Sequence, residues 1–353
     1  MKILISGEYF PKVGGVARYV ETIERELVRD NCDFAVLTRN DIRIDDRPVY
    51  PLLPVSWKRL AVFYWLIRVR NFLVSRPLGT EFYFLDFAGL LVYLVCSNSE
   101  VRRRSKIVFH GTEILRLREL LKFRILQQAV FSRILQARKL VAISSVIRSI
   151  LTETLHTQDI QVIYNSHPFS GKFVIPDNYN EDLTISVVGR LDYRKRIDLL
   201  LKSIPLIKHK STIKIVGSGP TEDVILSIIS KYRNPIVDVQ LLKDIDDRQL
   251  KEIYSKSHYV FVPAGRLKNS IEGFGLTILE ALDCNSIPVC LDLDGPGEIA
   301  QILGTPRLAP NVKDIAAFFN NWTNYFDLID QEHVNSQMSL FTPERQARDL
   351  FET

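Results

Sequence analysis

The chain has 353 residues, 46% of them apolar and 25% charged, with a net charge of +5. This length accommodates two α/β domains, each with its own core, and the composition is that of a globular protein. So small a charge does not by itself argue for nucleic acid, and no nucleic-acid-binding motif accompanies it.

Met1 to Ser6 reads as a buried strand that begins at once, so no signal sequence is expected. A Gly-containing turn and a helix from Val16 to Asp30 follow, then a strand from Phe34 to Thr38. The apolar stretch from Phe82 to Cys96 is interrupted by Asp86 and falls short of the roughly 20 residues a membrane span needs. Neither export nor spanning is expected, which places the chain in the cytoplasm. Short apolar runs at Phe82 to Leu85, Ile107 to Phe109, Lys139 to Ile143 and Gln161 to Tyr164 predict further strands. Helical patterns from Leu115 to Gln136 and from Ser145 to Leu155 lie among them. Cys32, Cys96, Cys284 and Cys290 are scattered without CxxC spacing and read as buried apolar residues, not as metal or redox ligands.

A stretch rich in Pro, Asn and Asp, His167 to Asp182, interrupts this rhythm and marks a boundary near residue 170. The rhythm restarts with strands at Leu183 to Val188, Ile213 to Val216, Val237 to Leu241, Tyr259 to Val262 and Ile287 to Leu291. The expected domains are therefore 1–170 and 171–353, each with a parallel sheet covered on both faces. The last forty residues are helical in pattern, and the final helix is free to pack back on the first domain. In open parallel sheets ligands bind beyond the carboxyl ends of the strands, and two such domains face each other across a cleft.

The chemistry-bearing residues fall just after strands. Glu272 to Glu280 (EGFGLTILE) is a glycine-bearing loop that feeds a helix starting near Gly275. Free N–H groups at a helix start suit a phosphate or a polar sugar, and two glycines let the backbone approach closely. Glu280, in the second turn, can accept both hydroxyls of a ribose. Gly189 to Arg196 (GRLDYRKR) delivers cations from a strand end. Two turns, Gly217-Ser-Gly219 and Gly14-Gly15, lead into helices, and His110 follows a strand beside Gly111. Taken singly, each has a plainer reading: two solvated glutamates, a solvated charge run, tight turns, a loop histidine. Asp86 is read equally well as a ligand for acceptor hydroxyls or as a helix cap.

Glu272 and Glu280, flanking Phe274-Gly275-Leu276, resemble the E-x7-E signature of the family 4 retaining glycosyltransferases, which have the GT-B fold of two Rossmann-like domains. The resemblance covers nearly the whole chain and is strongest over residues 184–300. It implies that Glu280 binds the ribose, that Glu272 sits at the donor sugar, and that the backbone of Phe274, Gly275 and Leu276 contacts that sugar. Arg190 and Lys195 correspond to the family's diphosphate clamp, Gly217 and Gly219 to a turn bordering base or phosphates, Gly14 and Gly15 to the loop reaching the donor phosphates, and His110 to the active-site histidine. Two departures stand out: Arg196 occupies a usual glycine, and Ala264 to Ile271 is longer than usual, bringing Arg266 and Lys268 near the donor.

The implied activity is retaining transfer of a hexosyl-type sugar from a UDP- or GDP-linked donor to a glycan or lipid-linked acceptor, as in bacterial surface polysaccharide or lipopolysaccharide assembly. Neither a cofactor nor a metal is expected, since Arg190 and Lys195 can replace a divalent ion. A sugar-nucleotide epimerase or hydrolase of similar fold, or a non-catalytic nucleotide-sugar-binding module, is disfavoured by the intact motifs. Eleven Lys and Arg against two Glu between Val101 and Leu140, and the aromatic, basic run from Ser56 to Pro77, suit peripheral contact with an anionic membrane. A buried helix with Arg at its ends is the competing explanation for that pattern.

Overall fold

The computed structural model describes residues 1–9, 14–38, 49–51, 59–176, 182–267 and 270–352. It divides into two compact units, residues 1–165 with 343–353, and 166–342. In the first unit the elements are β1 (Lys2–Ser6), α1 (Gly15–Arg29), β2 (Phe34–Thr38), β3 (Val49–Pro51), α2 (Arg59–Val74), β4 (Glu81–Phe84), α3 (Phe87–Cys96) and α4 (Ser99–Arg103). Then come β5 (Ser105–Phe109), α5 (Thr112–Leu120), α6 (Arg124–Ile134), β6 (Lys139–Ala142), α7 (Ser145–Leu155) and β7 (Gln161–Val162). All seven strands pair in parallel, in the order β3-β2-β1-β4-β5-β6-β7.

The second unit runs β8 (Leu183–Val188), α8 (Ile197–Ser203), β9 (Ser211–Val216), α9 (Glu222–Lys231), β10 (Val237–Leu242), α10 (Asp247–Ser255) and β11 (Tyr259–Val262). It continues with α11 (Leu276–Asp283), β12 (Ile287–Leu291), α12 (Asp294–Leu303), β13 (Arg307–Leu308), α13 (Val312–Asn320) and α14 (Gln331–Met338). Its six strands are also parallel, in the order β10-β9-β8-β11-β12-β13. The last helix, α15 (Pro343–Phe351), belongs to the first unit.

The sequence explains most of these elements. β11 is buried throughout, as a parallel strand covered on both faces must be, and its Tyr-Val-Phe-Val run supplies apolar side chains to each face. In α1 the buried Ala17, Val20, Ile23 and Leu27 recur at helical spacing, which turns one stripe to the sheet. The apolar stretch beginning at Phe82 splits into β4 and α3 because Asp86 caps the helix, accepting from the Gly89 N–H at 2.7 Å. One expectation fails: the pattern from Leu115 to Gln136 is not a single helix but α5 and α6, separated at Leu121 to Phe123 without a Gly or Pro to mark the break.

The buried Lys106 ammonium donates to the Leu350 carbonyl at 2.7 Å, at the C-terminus of α15 where a helix favours a cation. Burial lowers the lysine to about 8. No helix among the described residues is long and apolar enough to cross a membrane.

In each sheet the strand order reverses at one point, between β1 and β4 in the first unit and between β8 and β11 in the second. The crevice beyond the strand ends at such a point is where an open α/β sheet binds ligands.

Candidate functional site

In the second unit the loops leaving β8 and β11 meet at the reversal. Lys195 Nζ lies 3.2 Å from Glu272 Oε2, and Arg194 Nη1 lies 3.4 Å from the same oxygen. Arg194 also donates to the Ile271 carbonyl at 3.0 Å and pairs with Asp192 at 3.5 Å, so it fastens one loop to the other. Enclosure alone would raise the Glu272 carboxyl, but the charges of Lys195 and Arg194 outweigh it and hold it below its ordinary value. The carboxylate is therefore ionised between two cations.

Arg190 differs from Lys195. It is exposed, and among the described residues its guanidinium has no ion pair. Of the two clamp cations expected from the sequence, one is turned inward on Glu272 and the other stands open.

The glycine turn after β9 explains how the β8 loop is held. A Cβ at Gly217, whose φ is +139°, would overlap the Gly189 carbonyl, and one at Gly219 would overlap the backbone of Leu191. Both glycines are thus required by the close approach of two loops, which positions the segment bearing Arg190 and Lys195. Gly275, at φ +90°, turns the chain into α11, which begins without a side-chain cap. Phe274 is buried against the Phe341 ring and Leu276 is part-buried. Glu280, on α11, accepts from the buried Tyr254 hydroxyl at 2.8 Å.

Two features carry no signal in the sequence. Arg194 looks like one of three adjacent solvated cations, yet it is the residue that joins the loops. Asp294, at the start of α12, has φ +52° and a side chain only 5% exposed, and pairs with Arg266 at 2.9 Å. Burial raises its carboxyl, Arg266 opposes this, and the nearby Glu272 charge raises it further. Lys268, expected with Arg266 near the donor, lies outside the described residues.

In the first unit the ends of β1, β4 and β5 converge. Asp86 braces the exit from β1, accepting from the N–H groups of Gly7 at 2.7 Å and Glu8 at 2.9 Å and from the Ser6 hydroxyl at 3.1 Å. Of its two readings the cap and brace are realised, and the carboxylate is engaged by the backbone. His110 Nε2 lies 3.0 Å from the Leu85 carbonyl, which can only accept, so Nε2 carries the proton and Nδ1 is the acceptor. Burial lowers the imidazole to about 4, and the bond to Leu85 only partly offsets this. At neutral pH the ring is therefore uncharged. Tyr19 on α1 meets it edge-on at 5.0 Å.

Glu113 accepts from the N–H groups of His110 at 3.1 Å and Gly111 at 2.8 Å, and burial raises it to about 7. Gly14 and Gly15 open α1, which also starts without a side-chain cap. The preceding residues Pro11 to Val13 lie outside the described residues. Gly14, with φ 168°, is simply extended.

Comparison with known proteins identifies the class. The family described as Glycosyl transferases group 1 matches residues 172–321, and Glycosyltransferase Family 4 matches residues 13–167. The chain belongs to the family 4 (group 1) glycosyltransferases. It is 24% identical over 306 residues to an uncharacterized glycosyltransferase of Methanocaldococcus jannaschii, covering 85% of this chain and 81% of that one.

Among solved structures, Anabaena HepE in complex with UDP and glucose aligns with a TM-score of 0.75 at 17% identity, over 100% of this chain and 98% of that one. The lipopolysaccharide outer core galactosyltransferase WaaB aligns with a TM-score of 0.71 at 16% identity, over 99% and 98%. These likenesses give the chain the GT-B fold.

Proposed function

We propose that the chain is a retaining glycosyltransferase that moves a hexosyl-type sugar from a nucleotide diphosphate sugar to a glycan or lipid-linked acceptor in bacterial surface polysaccharide or lipopolysaccharide assembly. The observation that carries this reading is the Glu272 carboxylate held between Lys195 and Arg194 at the sheet reversal, beside the uncapped start of α11. Cations there neutralise the charge that develops on a departing diphosphate. The exposed Arg190 and the inward Lys195 would both take the diphosphate, in place of a divalent ion, and no further cofactor is needed.

Glu280, oriented by Tyr254, would accept the ribose hydroxyls, with Gly217 and Gly219 holding the loop beside base or phosphates. Glu272 and the backbone of Phe274, Gly275 and Leu276 would address the sugar. In the first unit Gly14 and Gly15 would offer N–H groups to the phosphates. The neutral His110 would use Nδ1 to accept from a sugar hydroxyl. No protein nucleophile is required if the departing diphosphate draws the acceptor proton on the same face, which gives retention.

HepE was solved with UDP and glucose and WaaB is named for lipopolysaccharide, so UDP-linked hexoses are the first donors to try. The enzyme would work in the cytoplasm, in peripheral contact with an anionic membrane surface on its inner face.

The test is a thermal-shift screen of UDP- and GDP-sugars, followed by determination of the product's anomeric configuration. Stabilisation by one donor and a product of the donor's configuration are expected. Inversion of that configuration would overturn the retaining mechanism, and indifference to every nucleotide would overturn the donor site.

A further inference from the structure

The break between α5 and α6 exposes apolar side chains at a density found nowhere else among the described residues. Leu120 is 65% exposed, Phe123 75%, Ile125 83% and Leu126 48%, all within seven positions. The helix that follows is hardly packed. α6 contains Ile125, Leu126, Ala129, Val130, Phe131 and Ile134, yet only Ile134 is buried. An isolated helix of this length is marginal in water, and in a folded protein most helical stability comes from packing an apolar face. Among the described residues the face of α6 has no such cover.

Charge selects what covers it. Glu119 is the only acid between Ile114 and Arg138, against six Lys and Arg. Arg118, Lys122 and Arg124 are exposed, and among the described residues none of them has an ion pair. A second copy would bring like charges together, and a nucleic acid would have no use for four apolar side chains. An interface that is apolar at its tip and cationic at its flanks fits the headgroup and acyl boundary of an anionic bilayer.

We infer that the turn from Leu120 to Leu126 is the segment that enters an anionic membrane, with Phe123 and Ile125 as the inserted side chains. The inference rests on the peripheral membrane contact proposed above and assigns it to one place. It also separates working cations from structural ones. Arg102 holds the Ser97 carbonyl at 2.7 Å, Arg104 the Pro77 carbonyl at 2.6 Å and Arg133 the Leu94 carbonyl at 2.8 Å. Those three secure loops and helix ends and are poor probes of lipid binding.

The experiment is co-sedimentation of the full chain with phosphatidylcholine vesicles, with and without phosphatidylglycerol. Wild type is expected to bind the anionic vesicles and to be partly released by salt. Phe123→Ser with Ile125→Ser should lower its partition coefficient at least about tenfold. Lys122→Glu with Arg124→Glu should also weaken binding, and neither pair should move the melting temperature, since all four side chains are exposed.

If wild type ignores anionic vesicles, the membrane contact itself is wrong. If wild type binds and the Phe123/Ile125 variant binds equally well, the contact stands and its assignment to this turn falls. A dimer seen by light scattering and abolished by the same variant would replace the membrane with a second copy of the chain.

Discussion

Replacing Glu272 with Gln should tighten the binding of free UDP while slowing transfer. Glu272 Oε2 lies 3.2 Å from Lys195 and 3.4 Å from Arg194, so a diphosphate arriving at Lys195 must share that ammonium with a carboxylate. At 3.2 Å and an effective dielectric of ~20, the gross attraction is roughly 5 kcal/mol. Desolvation of both partners offsets most of it. A net gain of about 1 kcal/mol is left for the nucleotide when the competing charge is removed, or about fivefold in Kd.

Turnover should move the other way, falling by about a hundredfold or more, because the contact proposed between this carboxylate and the sugar would matter most where charge develops at the reacting carbon. Calorimetry with UDP alone and kcat at saturating donor read the two effects separately. UDP binding that weakens in Glu272→Gln, as it should in Lys195→Met, would refute the competition and make the carboxylate a structural support for the clamp.

Lys195→Met and Arg190→Ala should each weaken UDP by about 1.5–3 kcal/mol, with unchanged melting curves for the exposed Arg190; calorimetry that finds UDP affinity intact removes that residue from the site. Tyr254→Phe should cost UDP about 1 kcal/mol through loss of the 2.8 Å bond that orients Glu280; equal loss for 2′,3′-dideoxy-UDP would disprove a route through the ribose. Glu113, raised from 4.5 to about 7, contributes stability that is complete below 4.5 and lost as pH rises through 7. Glu113→Gln should therefore gain about 3 kcal/mol on wild type between pH 4.5 and 8 in urea melts. His110, lowered from 6.5 to about 4, has the opposite sign, with stability present above 6.5 and lost as pH falls toward 4. His110→Gln should thus gain on wild type below pH 6.5, and parallel pH profiles for wild type and variant would rule out a buried neutral ring.

The strands around the candidate site were legible because a parallel strand covered on both faces leaves largely apolar runs such as Leu183–Val188 and Tyr259–Val262. The motif residues were legible because they follow those runs. Which cation does what is decided by local geometry and not by residue type. Tyr193-Arg-Lys-Arg196 is one charged run on paper, and only the short helical turn at Tyr193–Lys195 sends Arg194 to Glu272 and Ile271, Lys195 to Glu272, and Arg196 away to Asp198. Tyr254 was out of reach for a different reason. Its partner is 26 residues away on another helix, and nothing local distinguishes it from a core tyrosine. The division of α5 from α6 carries no Gly, Pro or capping residue, so the apolar periodicity continues straight through it.

The two departures from the family pattern noted in the sequence prove to be one structural unit. Arg196 adopts φ +44° where the family usually has Gly, a conformation that costs a residue with a Cβ on the order of 1 kcal/mol. Its side chain pairs with Asp198 at 3.2 Å and lies under the longer loop, since a Cβ at Gly265 would come within 2.7 Å of Arg196 Cγ. The same loop sends Arg266 to Asp294, a second non-glycine held at positive φ, beside Glu272. The two residues held at positive φ, Arg196 and Asp294, are thus both engaged by one segment, Gly265 to Arg266. A chain that shortened the loop would be expected to restore glycine at 196, because the side chain would lose its cover and keep the backbone cost.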